Sequence, residues 1–312
     1  MKKIIIIIVG IFTSIIISGC GVTEEIDIYA SIYPLQFLVE EIVDDNMSVK
    51  GVYPMGAEIH EYEPAPSQIV SMSKSKLIFY IGASLEAFIE KAEGTTLPNN
   101  ILVKMSKYVP MLEPSGEEED KEHDTTGHHH PIDPHIWLDP IRMITMAEKI
   151  TEKVSMVMPE KKAEFEENRD ELISKLQTLH NSYLEVLNHE SILHKVIVVD
   201  HDAYLYWQDR YGIERIRTRI DNDSCTIIPT DFIQNIELIK SYGIKYITVT
   251  ENASVCSIID QYIKEASLEK EYLHDLSTIS KKDYNAGKDY FYYMEENLET
   301  LKRILPKKLT AK

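Results

Sequence analysis

Ile26-Asp27-Ile28-Tyr29-Ala30-Ser31-Ile32-Tyr33-Pro34-Leu35-Gln36-Phe37-Leu38-Val39-Glu40-Glu41-Ile42-Val43 changes its period part-way along. Ile26 to Ile32 is an apolar, β-branched run, and beyond Pro34 the residues Leu35, Leu38, Val39, Ile42 and Val43 recur at helical spacing. Proline fits the first turn of a helix, where its missing N–H costs nothing. A strand therefore runs straight into a helix. The alternation continues with strands over Val49 to Tyr53, Leu77 to Ile81 and Ile101 to Val103, and helices over Ser67 to Ser73 and Leu85 to Ala92. Such alternation implies a mainly parallel sheet with helices on its faces.

Periodicity stops between Met111 and Pro134, where Glu117 to Asp120, Glu122, Asp124 and a set of histidines leave little to bury. This is a loop. Helical spacing returns over Met143 to Val157 and again from Pro159 to about Asn188, through Phe165, Leu172, Leu176, Leu179, Tyr183 and Leu187. At 1.5 Å per residue the second helix is about 45 Å long, longer than a small domain is wide, which suits a stiff strut. The second half resumes the first style. Strands are expected at Val196 to Val199 and Tyr246 to Val249, with helices over Ala203 to Tyr211, Phe232 to Tyr242, Val255 to Ala266 and Tyr290 to Leu305. Gly212 and Gly243 close two of these helices.

The expected fold class is α/β: two lobes, each a mainly parallel sheet flanked by helices, joined by one long rigid helix. The first lobe covers 26–142, with an acidic, His-rich loop over 113–132. The linking helical region covers 143–190 and the second lobe 191–312. In open α/β sheets ligands sit beyond the carboxyl ends of the strands, so the cleft between the lobes is the default site.

Lys2 and Lys3 precede an apolar run, Ile4 to Ile17, that is too short to span a bilayer comfortably and reads as an export signal over 1–19. Ile17-Ser18-Gly19-Cys20 then resembles the lipobox of bacterial lipoproteins, in which the new N-terminal Cys20 carries acyl chains ahead of a short tether, 20–25. The other reading is a cleaved signal with an incidental cysteine. The formal net charge is -18, and loss of the two lysines with the signal makes it more negative still. That balance excludes nucleic acid as a partner and favours cations. After Cys20 only Cys225 and Cys256 remain, and sequence spacing does not decide whether they pair. The chain contains no CxxC, so a thiolate zinc knuckle is excluded.

Three histidines stand on turns beside these elements. His60 lies in Gly56-Ala57-Glu58-Ile59-His60-Glu61-Tyr62-Glu63-Pro64, His135 in Asp133-Pro134-His135-Ile136-Trp137-Leu138-Asp139-Pro140, and His201 directly after the strand ending at Asp200. A lone histidine is more often a hydrogen-bonded surface group than a ligand. Three imidazoles on separate turns facing one cleft match the nitrogen-rich, tetrahedral preference of Zn2+, whereas Mn2+ favours more carboxylate oxygen. Asp133, Asp139, Asp200 and Asp202 are near in sequence and read either as acceptors for the outer ring N–H groups or as solvated loop charges.

These stretches, with Ala30 to Pro34, Asp200 to Tyr211, Thr250 to Ser254 and Asp289 to Leu298, resemble the metal-specific solute-binding lipoproteins of ABC importers, and among them the zinc-uptake branch. The likeness covers essentially the whole chain after the signal. It implies two α/β lobes bridged by one long helix, little hinge closure, Zn2+ held by His60, His135 and His201, and delivery to an ABC permease. A monomer is expected, extracytoplasmic and anchored to the bacterial cell membrane through Cys20.

Relatives with a fourth protein ligand carry a carboxylate near Leu273-His274-Asp275-Leu276-Ser277, and the matching register puts Ser277 there. The fourth position then falls to water, or to Asp275 or His274 after a small shift, with water slightly favoured. His123, His128, His129 and His130 in the acidic loop form either an auxiliary metal collector or a solvated insertion.

Three other functions compete: a manganese-binding importer component of the same family, a zinc-dependent surface adhesin or scaffold, and a zinc hydrolase. The hydrolase is the weakest. His60-Glu61 is followed by Tyr62 and Glu63 with no second His one turn on, so the helical metalloprotease motif is missing and no enzyme activity is expected.

Overall fold

The structure, a computed structural model, describes residues 25–59, 62–113, 132–219, 225–250 and 256–308. β1 (Ile28–Ala30) leads into α1 (Tyr33–Val43), with Pro34 in its first turn. β2 (Val49–Gly51), α2 (Pro66–Met72), β3 (Leu77–Tyr80), α3 (Ala87–Ala92) and β4 (Leu102–Lys104) complete the first sheet and its helices. Its strands are all parallel in the order β2-β1-β3-β4, with Ile28 level with Val49 on one side and Leu77 on the other.

α4 (Pro140–Val157) and α5 (Lys162–Leu187) follow, separated by a 3-10 turn at Pro159–Lys161. The long helix therefore starts slightly later than the sequence pattern suggests. Its 26 residues still reach about 39 Å. Phe165, Leu172, Leu176, Leu179, Tyr183 and Leu187 form its buried stripe.

The second sheet comprises β5 (Val196–Val199), β6 (Glu214–Arg217), β7 (Tyr246–Val249) and β8 (Glu269–Tyr272), parallel in the order β6-β5-β7-β8. Helices α6 (Leu205–Tyr211), α7 (Pro229–Tyr242) and α8 (Ser257–Ala266) connect its strands, and α9 (Lys281–Asn285) and α10 (Tyr290–Ile304) close the chain. β6 and β8 escape the sequence pattern because they are edge strands. Their sequences, Glu-Arg-Ile-Arg and Glu-Lys-Glu-Tyr, carry the charges that keep an exposed edge from pairing with another chain, so no apolar run marks them.

Alternation along the central strands divides the interior. Ile28, Ala30, Leu77, Phe79, Ile197 and Val199 face one large core, while Tyr29, Ile78 and Tyr80 face a small cluster outside the first sheet. Val196 and Val198 face another outside the second. The large core is continuous through the stripe of α5 from one lobe to the other. At the start of α10, Tyr290 stacks on Phe37 of α1 at 5.6 Å and Phe291 meets the same ring edge-on at 5.7 Å, so the C-terminal helix also ties the lobes.

Cys225 and Cys256 form a disulfide, their Cα atoms 5.4 Å apart. Among the described residues no helix is long and apolar enough to cross a membrane. Cys20 and the histidines His123, His128, His129 and His130 lie outside the described residues.

Candidate metal centre

Two parallel-sheet carboxyl ends and one proline-bounded segment build the site. β5 ends at Val199, and Asp200 continues the pairing by donating its N–H to the Thr248 carbonyl at 3.1 Å. The Asp200 carboxylate accepts the Thr250 N–H at 3.1 Å and the Thr250 hydroxyl at 3.4 Å, clamping the end of β5 to that of β7. His201 is the next residue and is buried.

His135 precedes a 3-10 turn, Ile136–Leu138, that runs into α4. Three donors from the second half of the chain hold this segment. Tyr206 Oη donates to the Asp133 carbonyl at 2.6 Å, Trp207 Nε1 to the Leu138 carbonyl at 2.8 Å and Tyr290 Oη to the Trp137 carbonyl at 2.8 Å. Each such bond is worth about 1 kcal/mol net, and together they fix the segment against the second lobe.

The two imidazoles meet there. His135 Nε2 and His201 Nε2 are 3.3 Å apart with the rings nearly perpendicular, at 88°. On the far side of His135, Asp133 Oδ1 accepts both the backbone N–H and the Nδ1–H of that residue, each at 2.8 Å. With its proton on Nδ1, His135 presents the Nε2 lone pair to His201, which is the arrangement a metal-binding histidine needs. Burial works to lower the His135 pKa, but the charges of Asp133, Asp275 and Asp202 and the Asp133 hydrogen bond outweigh it and hold the imidazole above its usual range.

Asp275 lies beside this pair, its Oδ2 3.9 Å from His201 Nε2. Its other oxygen, Oδ1, accepts the Ser277 N–H and the Ser277 hydroxyl, both at 3.0 Å. Trp137 Nε1 donates to the Asp275 carbonyl at 2.6 Å. Tyr204, buried at the start of α6, has its hydroxyl held neutral first by burial and then by the charges of Asp275 and Asp200.

The remaining candidates separate. His60 and Glu61 lie outside the described residues; on either side, Ile59 is buried and the Tyr62 ring meets Tyr53 at 5.4 Å. His274 is turned to α10, its ring 4.6 Å from Tyr293 and its backbone bracketed by the Asn297 side chain at 2.7 and 2.9 Å. Asp139 caps α4 through the Ile141 N–H and binds Arg142 at 2.5 Å and Arg210 at 2.8 Å, while Asp202 pairs with Arg215 and Arg217. Of the four flanking carboxylates, Asp133 is the one hydrogen-bonded to the His135 ring. Among the described residues no three His, Cys, Asp or Glu side chains form a group that could hold a metal ion; His135 and His201 approach at 3.3 Å, and Asp275 lies 3.9 Å from His201.

The residue order does not show that Asp275 stands beside His201, or that Tyr204 is buried near Asp275 and Asp200. The Asp-x-Ser spacing was the available signal, since an aspartate commonly accepts from the backbone two residues on. For Tyr204 the pattern holds no signal beyond an aromatic in a helix start.

The fold is that of a bilobal solute-binding protein. The family model for zinc-uptake complex component A, periplasmic (ZnuA), matches residues 28–304. The chain belongs to this family. It is 29% identical over 309 residues to the zinc-binding lipoprotein AdcA of Streptococcus pneumoniae strain R6, covering 97% of this chain but 61% of that protein. It is 26% identical over 281 residues to the high-affinity zinc uptake system protein ZnuA of Bacillus subtilis, covering 89% of this chain and 87% of that one. The crystal structure of the Zn(II)-bound ZnuA-like domain of the S. pneumoniae AdcA superposes with a TM-score of 0.72 at 27% identity, over 90% of this chain and 99% of that domain. The chain thus spans about three fifths of the AdcA sequence, the share of a ZnuA-like domain.

Proposed function

We propose that this protein is a high-affinity Zn2+ carrier that takes the ion between His60, His135, His201 and Asp275 and passes it to an ABC permease. The observation that carries the reading is the 3.3 Å approach of the two Nε2 atoms. Two nitrogens bound to one tetrahedral zinc at about 2.05 Å stand roughly 3.4 Å apart, so the imidazoles already hold the spacing of shared ligands. Asp275 Oδ2, at 3.9 Å from His201, is the described carboxylate oxygen turned to the pair, and it supplies the fourth ligand in place of Ser277 or water. His60, which falls between β2 and α2 in the sequence, supplies the remaining nitrogen. The names of the similar proteins, a zinc-binding lipoprotein and a zinc uptake protein, support zinc as cargo.

A three-nitrogen, one-oxygen set favours zinc over manganese, which prefers oxygen-rich octahedral sites. With four protein ligands the ion has no open position for activating water, so the protein carries the ion and does not act as an enzyme. Acyl chains on Cys20 hold the monomer at the outer face of the cell membrane. The acidic loop with His123, His128, His129 and His130 gathers zinc weakly ahead of the tight site.

Metal analysis and competition titration of the wild type beside His60→Ala, His135→Ala, His201→Ala and Asp275→Asn test this. One tight zinc per chain is expected, lost or strongly weakened in each variant. Zinc that survives unchanged in His135→Ala and His201→Ala, or manganese bound more tightly than zinc, overturns it. An apoprotein that is unfolded until zinc is added would instead support a scaffold.

A further inference from the structure

The turn Asp275-Leu276-Ser277 is built in an unusual way. Leu276, a buried apolar residue, sits in the left-handed region at φ 59, a conformation that costs a non-glycine residue free energy. The result is that Ser277 folds back on the carboxylate two residues before it, delivering both its N–H and its hydroxyl to Asp275 Oδ1. The turn is held from outside by the Trp137 indole on the Asp275 carbonyl and by the Tyr33 N–H on the Ser277 carbonyl at 3.4 Å.

An ionised carboxylate offers about four acceptor positions, two on each oxygen. Ser277 fills both positions on Oδ1, while Oδ2 faces His201. From this we infer that Ser277 is a positioning residue that sets metal preference: it makes Asp275 a one-oxygen ligand and so denies the site the bidentate carboxylate that a larger, oxygen-seeking cation such as Mn2+ would use. A single carboxylate oxygen beside the two imidazoles keeps the coordination shell small and nitrogen-rich, which suits zinc; a second oxygen would enlarge it toward the oxygen-rich shell manganese prefers. The inference rests on the zinc-carrier reading and on Asp275 as a ligand.

The test is a competition titration of Zn2+ and Mn2+ against the wild type, Ser277→Ala, Ser277→Thr and Asp275→Asn, with visible spectra of the Co2+-loaded proteins. Ser277→Ala is expected to lower the zinc-to-manganese affinity ratio by about tenfold and to weaken the intense four-coordinate cobalt bands, while Ser277→Thr, which keeps the hydroxyl, restores both. A merely structural role would lower both affinities together and leave the cobalt spectrum unchanged. If Ser277→Ala does not fold, Ser277→Gly removes the same hydroxyl. An unchanged ratio and spectrum in the hydroxyl-less variant, with Asp275→Asn still weakening zinc, overturns the role of Ser277 and leaves the carrier intact. Zinc affinity unaffected by Asp275→Asn overturns the inference at its root, whereas the carrier reading falls with a wild type that binds no zinc or prefers manganese, or with zinc binding unchanged in His135→Ala and His201→Ala.

Discussion

The Gly56 N–H donates to the Thr278 hydroxyl at 2.7 Å, joining two residues 222 positions apart. Gly56, with φ +79 in the left-handed region open to glycine, begins the segment that carries His60. Thr278 directly follows the turn that aims Asp275. One hydrogen bond therefore joins the first-lobe segment to the residue next to the Asp275-Ser277 turn.

Thr278→Val removes the acceptor and keeps the shape. Stability should change by only about 1 kcal/mol, because the bond is partly exposed. Zinc affinity should fall about three- to tenfold, since Gly56 then loses its tie to the residue that follows the Asp275 turn. Calorimetric titration beside thermal melting separates the two effects; a large melting shift with unchanged affinity contradicts the coupling.

Asp133→Asn tests the support of His135. The variant loses the carboxylate that orders Nδ1, and affinity should drop by about 10- to 100-fold. The pH profile should move as well. If His135 binds zinc through its deprotonated ring, wild-type affinity should decline as pH falls through its elevated range. Without the Asp133 charge that decline should begin at lower pH, read by titrations at a series of pH values.

Asp139→Asn addresses the joint between the lobes. Asparagine caps a helix about as well as aspartate, so the start of α4 should survive. What goes is the charge that binds Arg142 and Arg210 inside the protein, with Asp139 fully buried. The loss should be on the order of 3 kcal/mol, measured as a lower urea midpoint.

Glu86 gives stability its own pH dependence. This fully buried carboxylate accepts the Ile81 and Gly82 N–H groups at 3.0 and 2.8 Å. Burial, helped by the charge of Glu90 and opposed by these donors, pushes its pKa up from 4.5 to about 7. Between those values the native state keeps a proton that the unfolded chain releases, so stability is lost as pH rises through the window and levels off above it. The effect is on the order of a few kcal/mol. Urea denaturation across that range should show the fall in the wild type and a flatter profile in Glu86→Gln; parallel profiles would refute the assignment.

Much of this architecture is legible from residue order. The run from Ile28 to Val43, the stripe from Phe165 to Leu187 and the strand Val196–Val199 each carry one strong period, because one face of each is buried in a core. Glu214 to Arg217 and Glu269 to Tyr272 are strands for a different reason: the sheet beside them needs an edge, and backbone pairing alone recruits them. His135 and His201 stand out by type and placement. Asp275 does not, since its aim depends on a left-handed Leu276 and on Ser277 folding back, and neither leaves a periodic trace. Asp139 looks like a neighbour of the site and is instead a bolt between α4 and α6, because Arg210 comes to it from 71 residues away.

The interior that runs unbroken through α5 has a mechanical consequence. A clamp with separate jaws can let go of its load by swinging them apart, but here opening the jaws would tear a single oil-filled body in two and expose it to water. On the carrier role proposed above, release of the ion is expected to be local, at the short turns that carry His201 and Asp275, with the lobes staying together.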